Sequence, residues 1–164
     1  MAGAAETATT AVGTAVGKNL TVATAESLTA GLVAATLANT PGASAMLQGG
    51  VIAYQNTVKV GVLGVPEELL ESVGSVDGGV AEAMADGARR ACAADIGIST
   101  TGVAGPDPHD GKDVGTVFVG VASGQGVASF QYSFSGDRQS IREQACEAAL
   151  ARLLAALDEV GYRS

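Results

Sequence analysis

Apolar positions along the chain follow two periods. Five short stretches are rich in β-branched and aromatic residues and bounded by glycine or polar residues, and they read as strands: LTVATA at 20–25, GGVIAYQ at 49–55, IGISTTG at 96–102, GTVFVGVAS at 115–123 and VASFQYSF at 127–134. Gly124-Gln125-Gly126 separates the last two and predicts a tight hairpin, so that pair is expected to be antiparallel. Between the earlier strands the period changes to that of a helix. SLTAGLVAATLAN follows Ser27, and VAEAMADGARRACAAD places Val80, Met84, Ala88, Ala91 and Cys92 on one face. A last helix starts near Asp137 and aligns Ile141, Ala145, Ala149, Leu153 and Leu157 in one stripe, which should cover a sheet face. Helices between strands imply crossover connections and parallel pairing in the first half. The prediction is an α/β fold: a three-layer α/β/α sandwich around a mixed, mostly parallel sheet of about five strands that includes one antiparallel hairpin. The opening MAGAAETATTAVGTAVG reads as either a weak first helix or a frayed arm, which puts the core at about residues 18–157.

Composition narrows the partners more than the fold. A chain of 164 residues, 47% hydrophobic and 16% charged, fits one compact domain spanning 1–164. The net charge of −8, with basic residues scattered apart from Arg89-Arg90, leaves no long cationic surface, so nucleic acid is not expected as a partner. A small anion remains possible, because a few converging cations and backbone N–H groups can hold a phosphate within an acidic protein. Cys92 and Cys146 lie far apart without metal-ligand spacing and read as buried reduced thiols. No run approaches the ~18 apolar residues of a membrane span, and the start lacks signal-peptide character, so no membrane partner and a cytoplasmic location are expected. Alanine content and the GVLGV segment offer material for a homo-oligomer contact without locating one.

Chemistry-bearing residues gather at predicted strand ends. In TVATAESLTAG, Ser27 follows a strand and precedes an apolar helix, so its hydroxyl either caps that helix or acts as a nucleophile at a helix N-terminus. A nucleophilic serine needs a base. His109, the sole histidine, sits in the irregular loop GPDPHDGKD without triad partners near it, and reads as a solvated loop residue. Lysine is the alternative, provided that burial lowers its pKa. Of Lys18, Lys59 and Lys112, Lys59 lies just past the strand ending at Tyr54, where phenol and amine could meet, although both also suit ordinary surface or packing roles. TTGVAGP at 100–106 reads as a tight turn or as a backbone nest for an anion. Arg138 and Arg142 stand one turn apart near the start of the last helix, where they oppose the helix dipole; an anionic ligand, or Glu143 or nearby carboxylates, would compensate them.

Taken in order, TAESLTAGLVAATLANTPGAS, GGVIAYQNTVKVGVLGV, TTGVAGP, GKDVGTVFV and FSGDRQSIREQACEAAL resemble the successive motifs of the CinA C-terminal domain family, the PncC type. The resemblance covers roughly residues 18–157. It implies the same three-layer fold and a nicotinamide mononucleotide amidohydrolase of pyridine nucleotide salvage, working through a serine and a lysine with neither metal nor cofactor. On this resemblance Ser27 is the nucleophile, Lys59 the general base and Tyr54 the assisting tyrosine. Thr101, Arg142, Arg138, Gly102 and Gly105 would position a small mononucleotide substrate. Larger members carry an N-terminal domain resembling molybdopterin-binding proteins, for which this chain has no room. The chain departs from the family pattern at Ala30, where glycine is usual, and at Asp113, where proline is common; SVDGGVAEAM also lacks the usual polar capping residues. Two other classes remain open in the sequence: a non-catalytic nucleotide-binding module of the same fold, and a serine-lysine amidase for another small amide.

Overall fold

The computed structural model describes residues 2–161. Five strands form one sheet in the order β2-β1-β3-β4-β5: β1 Val22–Glu26, β2 Leu47–Ile52, β3 Ile96–Gly102, β4 Thr116–Ser123 and β5 Gly126–Ser133. β1 pairs in parallel with both β2 and β3, while β4 is antiparallel to β3 and to β5. Four strands therefore run one way and β4 alone runs back, which is the mostly parallel sheet with one hairpin that the strand and helix pattern predicts. Gly124 and Gln125 alone join β4 to β5, with Ser123 opposite Gly126.

The two faces of the sheet are unlike because β3 alternates large and small residues. Ile96 and Ile98, with Val22 of β1 and Val119 of β4, belong to a core shared with α1 (Ala2–Lys18), α2 (Leu32–Ala38) and α6 (Arg138–Glu159). Gly97, and Gly120 of β4, face the other way under α5 (Gly78–Ala91); a Cβ on either would meet a carbonyl oxygen of α5, at 2.0 Å from that of Ala85 and 2.2 Å from that of Ala81. Small residues thus let α5 lie close on the sheet, and the hydroxyl of Ser99 donates to the Ala81 carbonyl there. α3 (Asn56–Gly61) and α4 (Glu67–Val73) lie with α5 on this side, where Leu63, Val65, Leu70, Val80 and Met84 form a second core.

The opening segment is a helix packed along α6, not an arm. Ala4, Ala8, Ala11 and Ala15 are fully buried, and Lys18 donates to the carbonyls of Leu157, Asp158 and Val160 at the end of α6. The predicted stripe of α6 is buried throughout. On α5, Val80, Met84 and Ala88 are buried, whereas Ala91 is exposed and Cys92 only half-buried, since the helix ends there; Cys146 is buried, and both thiols are free. The α5 segment does carry a polar cap: the Asp77 carboxylate accepts from the N–H of Gly79. No described helix is long and apolar enough to cross a membrane.

Ser27 does not cap the helix that follows it. Residues 28–31 form a turn, α2 begins only at Leu32, and its N-cap is Gly31 with φ 97° and no side-chain cap. Glu26, 1% exposed, supplies the acceptors instead: Oε1 takes the N–H groups of Gly31 (3.2 Å) and Val33 (2.8 Å), and Oε2 that of Ala34 (3.0 Å). Thr29 also donates to Oε1 at 2.7 Å, which leaves Thr100 to donate to Thr29. An ionised carboxylate at a helix start satisfies both the orphan amides and the dipole. Ala30, where the related motif has glycine, adopts φ 50°, a left-handed conformation that strains any side chain. Removing the Glu26 carboxylate takes the acceptor from four donors, two of them buried, so Glu26→Ala should lower unfolding free energy by about 3 kcal/mol in urea melts, with Glu26→Gln in between. A loss below about 1 kcal/mol would show that solvent replaces the carboxylate there.

Candidate active site

Parallel strands bring their C-terminal ends to one edge, where open α/β sheets place ligands. Ser27 follows β1, Ala53 and Tyr54 follow β2, Thr101 and Gly102 close β3, and Arg138 starts α6 just after β5. These segments border one cleft of about 450 Å³, within the size range of small-molecule sites. Ser27, Tyr54, Lys59, Thr101, Gly102, Gly105 and Arg138 all line it. Arg142 does not: it borders a neighbouring concavity with Leu32, Arg138, Gln139 and Glu143.

Lys59 is the fourth residue of the short helix α3, not part of a strand end, and that helix turns it inward until 1% of it is exposed. Its Nζ lies 3.0 Å from the Ser27 hydroxyl oxygen, 2.8 Å from the Ala53 carbonyl and 3.3 Å from the Tyr54 carbonyl. Among the described residues it forms no ion pair. Burial without a countercharge disfavours the ammonium form and brings the pKa down from 10.5 to about 8. The ammonium donates one N–H to each of the three; once a proton is lost, the two remaining N–H bonds keep the carbonyls and the lone pair turns to the Ser27 hydroxyl. Because the unfolded chain binds more protons between pH 8 and 10.5, this group adds to stability as pH rises through that window.

Ser27 is itself 9% exposed, and its backbone N–H donates to Thr100. Among the described residues nothing else binds its hydroxyl, since Glu26 does the capping. Tyr54 meets Lys59 through its carbonyl; its half-exposed phenol instead accepts from Arg138 at 2.6 Å. Arg138 also donates to the Gly105 carbonyl. Arg142 donates from Nε to the Leu28 carbonyl (2.8 Å) and from Nη2 to the Thr29 carbonyl (3.1 Å). Backbone carbonyls, rather than Glu143, thus compensate both arginines; Glu143 accepts from Gln139.

The 100–106 turn offers donors. The N–H groups of Ala104 and Gly105 have no acceptor among the described residues, and both residues line the cleft. Thr101 is buried and donates to the Ser75 carbonyl at 2.7 Å. Ser75 in turn donates from N and Oγ to the Asp110 carboxylate, which ties the 105–113 loop over the cleft and holds the Asp110 carboxyl below its usual pKa. His109, expected only as a loop residue, is carried to the cleft wall by this loop, as Gln55 and Asn56 are by α3. Sequence reasoning missed α3 and therefore these two residues. Six residues is too short for a readable period. Among the described residues no three His, Cys, Asp or Glu side chains converge as a metal site.

Residues 4–157 match the family model for the CinA C-terminal domain. A competence-damage inducible protein of Desulforamulus reducens is 47% identical over 131 residues, which is 80% of this chain and 32% of that protein. A CinA-like protein of Frankia casuarinae is 44% identical over 149 residues, 89% of this chain and 34% of its own length. The chain thus spans about a third of the length of the curated relatives it matches. Among solved structures, the competence/damage inducible protein CihA of Agrobacterium tumefaciens superposes with TM-score 0.90 at 32% identity, covering 96% of each chain. A CinA superfamily protein of Klebsiella pneumoniae gives 0.91 at 28% identity, covering 96% of this chain and 99% of that one.

Whatever the substrate, a serine activated by Lys59 should be phosphonylated by a fluorophosphonate at a rate that climbs about tenfold per pH unit and levels above pH 8. Mass spectrometry of the Ser27 peptide across pH 6–10 checks this. A flat profile, or a midpoint near 10, would separate the lysine from the reactivity of the serine.

Proposed function

We propose, for a chain that belongs to the CinA C-terminal domain family, that it is a nicotinamide-nucleotide amidohydrolase, releasing ammonia from nicotinamide mononucleotide to give nicotinate mononucleotide. The observation that carries this reading is the buried Lys59 amine 3.0 Å from the Ser27 hydroxyl, with two backbone carbonyls taking its remaining protons. The names of the relatives specify no substrate, so the substrate rests on the family motifs together with the chemistry of the cleft.

At pH 7 a pKa of about 8 leaves roughly one Lys59 in ten neutral, enough to serve as base. Neutral Lys59 takes the Ser27 proton as the oxygen attacks the carboxamide carbon, and the carbonyl π pair moves onto its oxygen. The tetrahedral adduct collapses by breaking the C–N bond, and the proton held on Lys59 goes to the leaving nitrogen, which departs as ammonia. Water then enters, gives a proton to the same amine and cleaves the nicotinoyl ester; the proton returns to Ser27. One amide and one water become one acid and one ammonia. Arg138 and the free N–H groups of Ala104 and Gly105 are the donors in the cleft that fit a phosphate dianion. Tyr54 holds the guanidinium of Arg138 and so acts on the substrate side of the cleft.

Ammonia release from nicotinamide mononucleotide by chelator-treated protein tests this. Wild type should turn over, Ser27→Ala should fall by about 10³-fold or more while still binding the mononucleotide in calorimetry, and Lys59→Arg should fall comparably because guanidinium does not deprotonate. Turnover by Ser27→Ala within a few fold of wild type would end the seryl mechanism. Binding without ammonia from wild type would point to a binding module or another amide.

A further inference from the structure

Arg142 stands behind the nucleophile rather than in the cleft, and its two hydrogen bonds bear on how the adduct oxygen is held. The turn after Ser27 is a series of peptide planes, each with its C=O and N–H on opposite edges. Arg142 holds two of them by their oxygens, at Leu28 and at Thr29. With the Thr29 carbonyl fixed toward Arg142, the Ala30 N–H on the far edge of the same plane points the other way, and it donates to the Ser27 carbonyl at 3.1 Å. That bond fixes the plane between Ser27 and Leu28 in turn, and leaves the Leu28 N–H on its opposite edge.

The Leu28 N–H has no acceptor among the described residues, although Leu28 is only 4% exposed and lines the cleft beside Ser27. A buried, unpaired backbone donor next to a nucleophile is uncommon and has a use in acyl transfer, where a donor fixed in advance stabilises the charge that develops on the carbonyl oxygen. Glu26 holds the other end of the turn by the N–H groups of Gly31, Val33 and Ala34. The turn is therefore held by a cation on its carbonyls and an anion on its amides. A guanidinium already committed to two carbonyls at 2.8 and 3.1 Å is poorly placed to reach into the cleft for a ligand.

We infer that the Leu28 backbone N–H is an oxyanion donor for Ser27 chemistry, and that Arg142 is the positioning residue that aims it, rather than a ligand for the substrate phosphate. This rests on Ser27 being the nucleophile, as in the function proposed above. Arg142→Ala should then lower kcat by about 10²-fold, the scale of losing one oxyanion donor, with KM within about threefold. The fold-loss should be the same for nicotinamide mononucleotide and for nicotinamide riboside, which lacks the phosphate. Phosphonylation of Ser27 by a fluorophosphonate, whose P=O uses the same donor, should slow to a similar degree. Arg142→Lys, which keeps the charge but offers a point in place of a fork, should fall between, and it serves as the reading if the alanine variant unfolds at assay temperature.

A loss confined to KM and to the phosphorylated substrate would overturn the proposal and make Arg142 a phosphate ligand. Unchanged phosphonylation in Arg142→Ala and Arg142→Lys would overturn it as well. If wild type hydrolyses neither amide, the amidohydrolase reading fails by itself, and the phosphonylation arm still decides for or against Arg142.

Discussion

A primary amine buried without a carboxylate is the constraint on which the rest of this site depends. Among the described residues the Lys59 amine hydrogen-bonds a hydroxyl and two main-chain carbonyls, all neutral, and forms no ion pair that would offset the loss of water around a positive charge. Burial therefore brings the pKa of the amine down to about 8. In the proposed mechanism the neutral amine is the base, and its remaining N–H bonds to the two carbonyls fix where its lone pair points.

The fold supplies this arrangement through strand direction. β1 and β2 run in parallel, so the chain leaves both at the same edge; one exit carries Ser27, and the other carries the Ala53 and Tyr54 carbonyls and then α3, which returns Lys59 toward them. Across the site β3 ends in the turn with free amides, and α6 begins beside it with Arg138. Glu26 and Arg142 hold the segment after Ser27 from opposite sides, and each relieves Ser27 of structural duty. A serine that had to cap α2 would have its hydroxyl oxygen occupied; with a carboxylate one residue earlier in that role, the hydroxyl is left to Lys59.

Much of this was legible in the chain. The alternation of Ile96-Gly97-Ile98-Ser99 announces a strand with a large and a small face, and the α6 stripe from Ile141 to Leu157 matches its buried side, because period is a direct consequence of one-sided burial. The motif order also brought Ser27, Tyr54, Lys59, Thr101, Gly102, Gly105 and Arg138 to one cleft. What stayed hidden depends on turns and short helices. The capping role of Glu26 could not be told from that of Ser27, since adjacent polar residues at a strand end look alike until the start of α2 is known. The inward turn of Lys59 needed α3, and the grip of Arg142 on the Leu28 and Thr29 carbonyls joins residues over a hundred positions apart through main-chain atoms that have no sequence signature.

The protonation of Lys59 itself is the most direct measurement. With lysine side chains labelled with ¹⁵N, the Nζ resonance assigned by its loss in Lys59→Met can be followed from pH 6 to 11. A midpoint about 8 is predicted. A Lys59 midpoint near the ordinary 10.5 would mean that the amine stays charged beside Ser27 and that the serine takes its base from elsewhere.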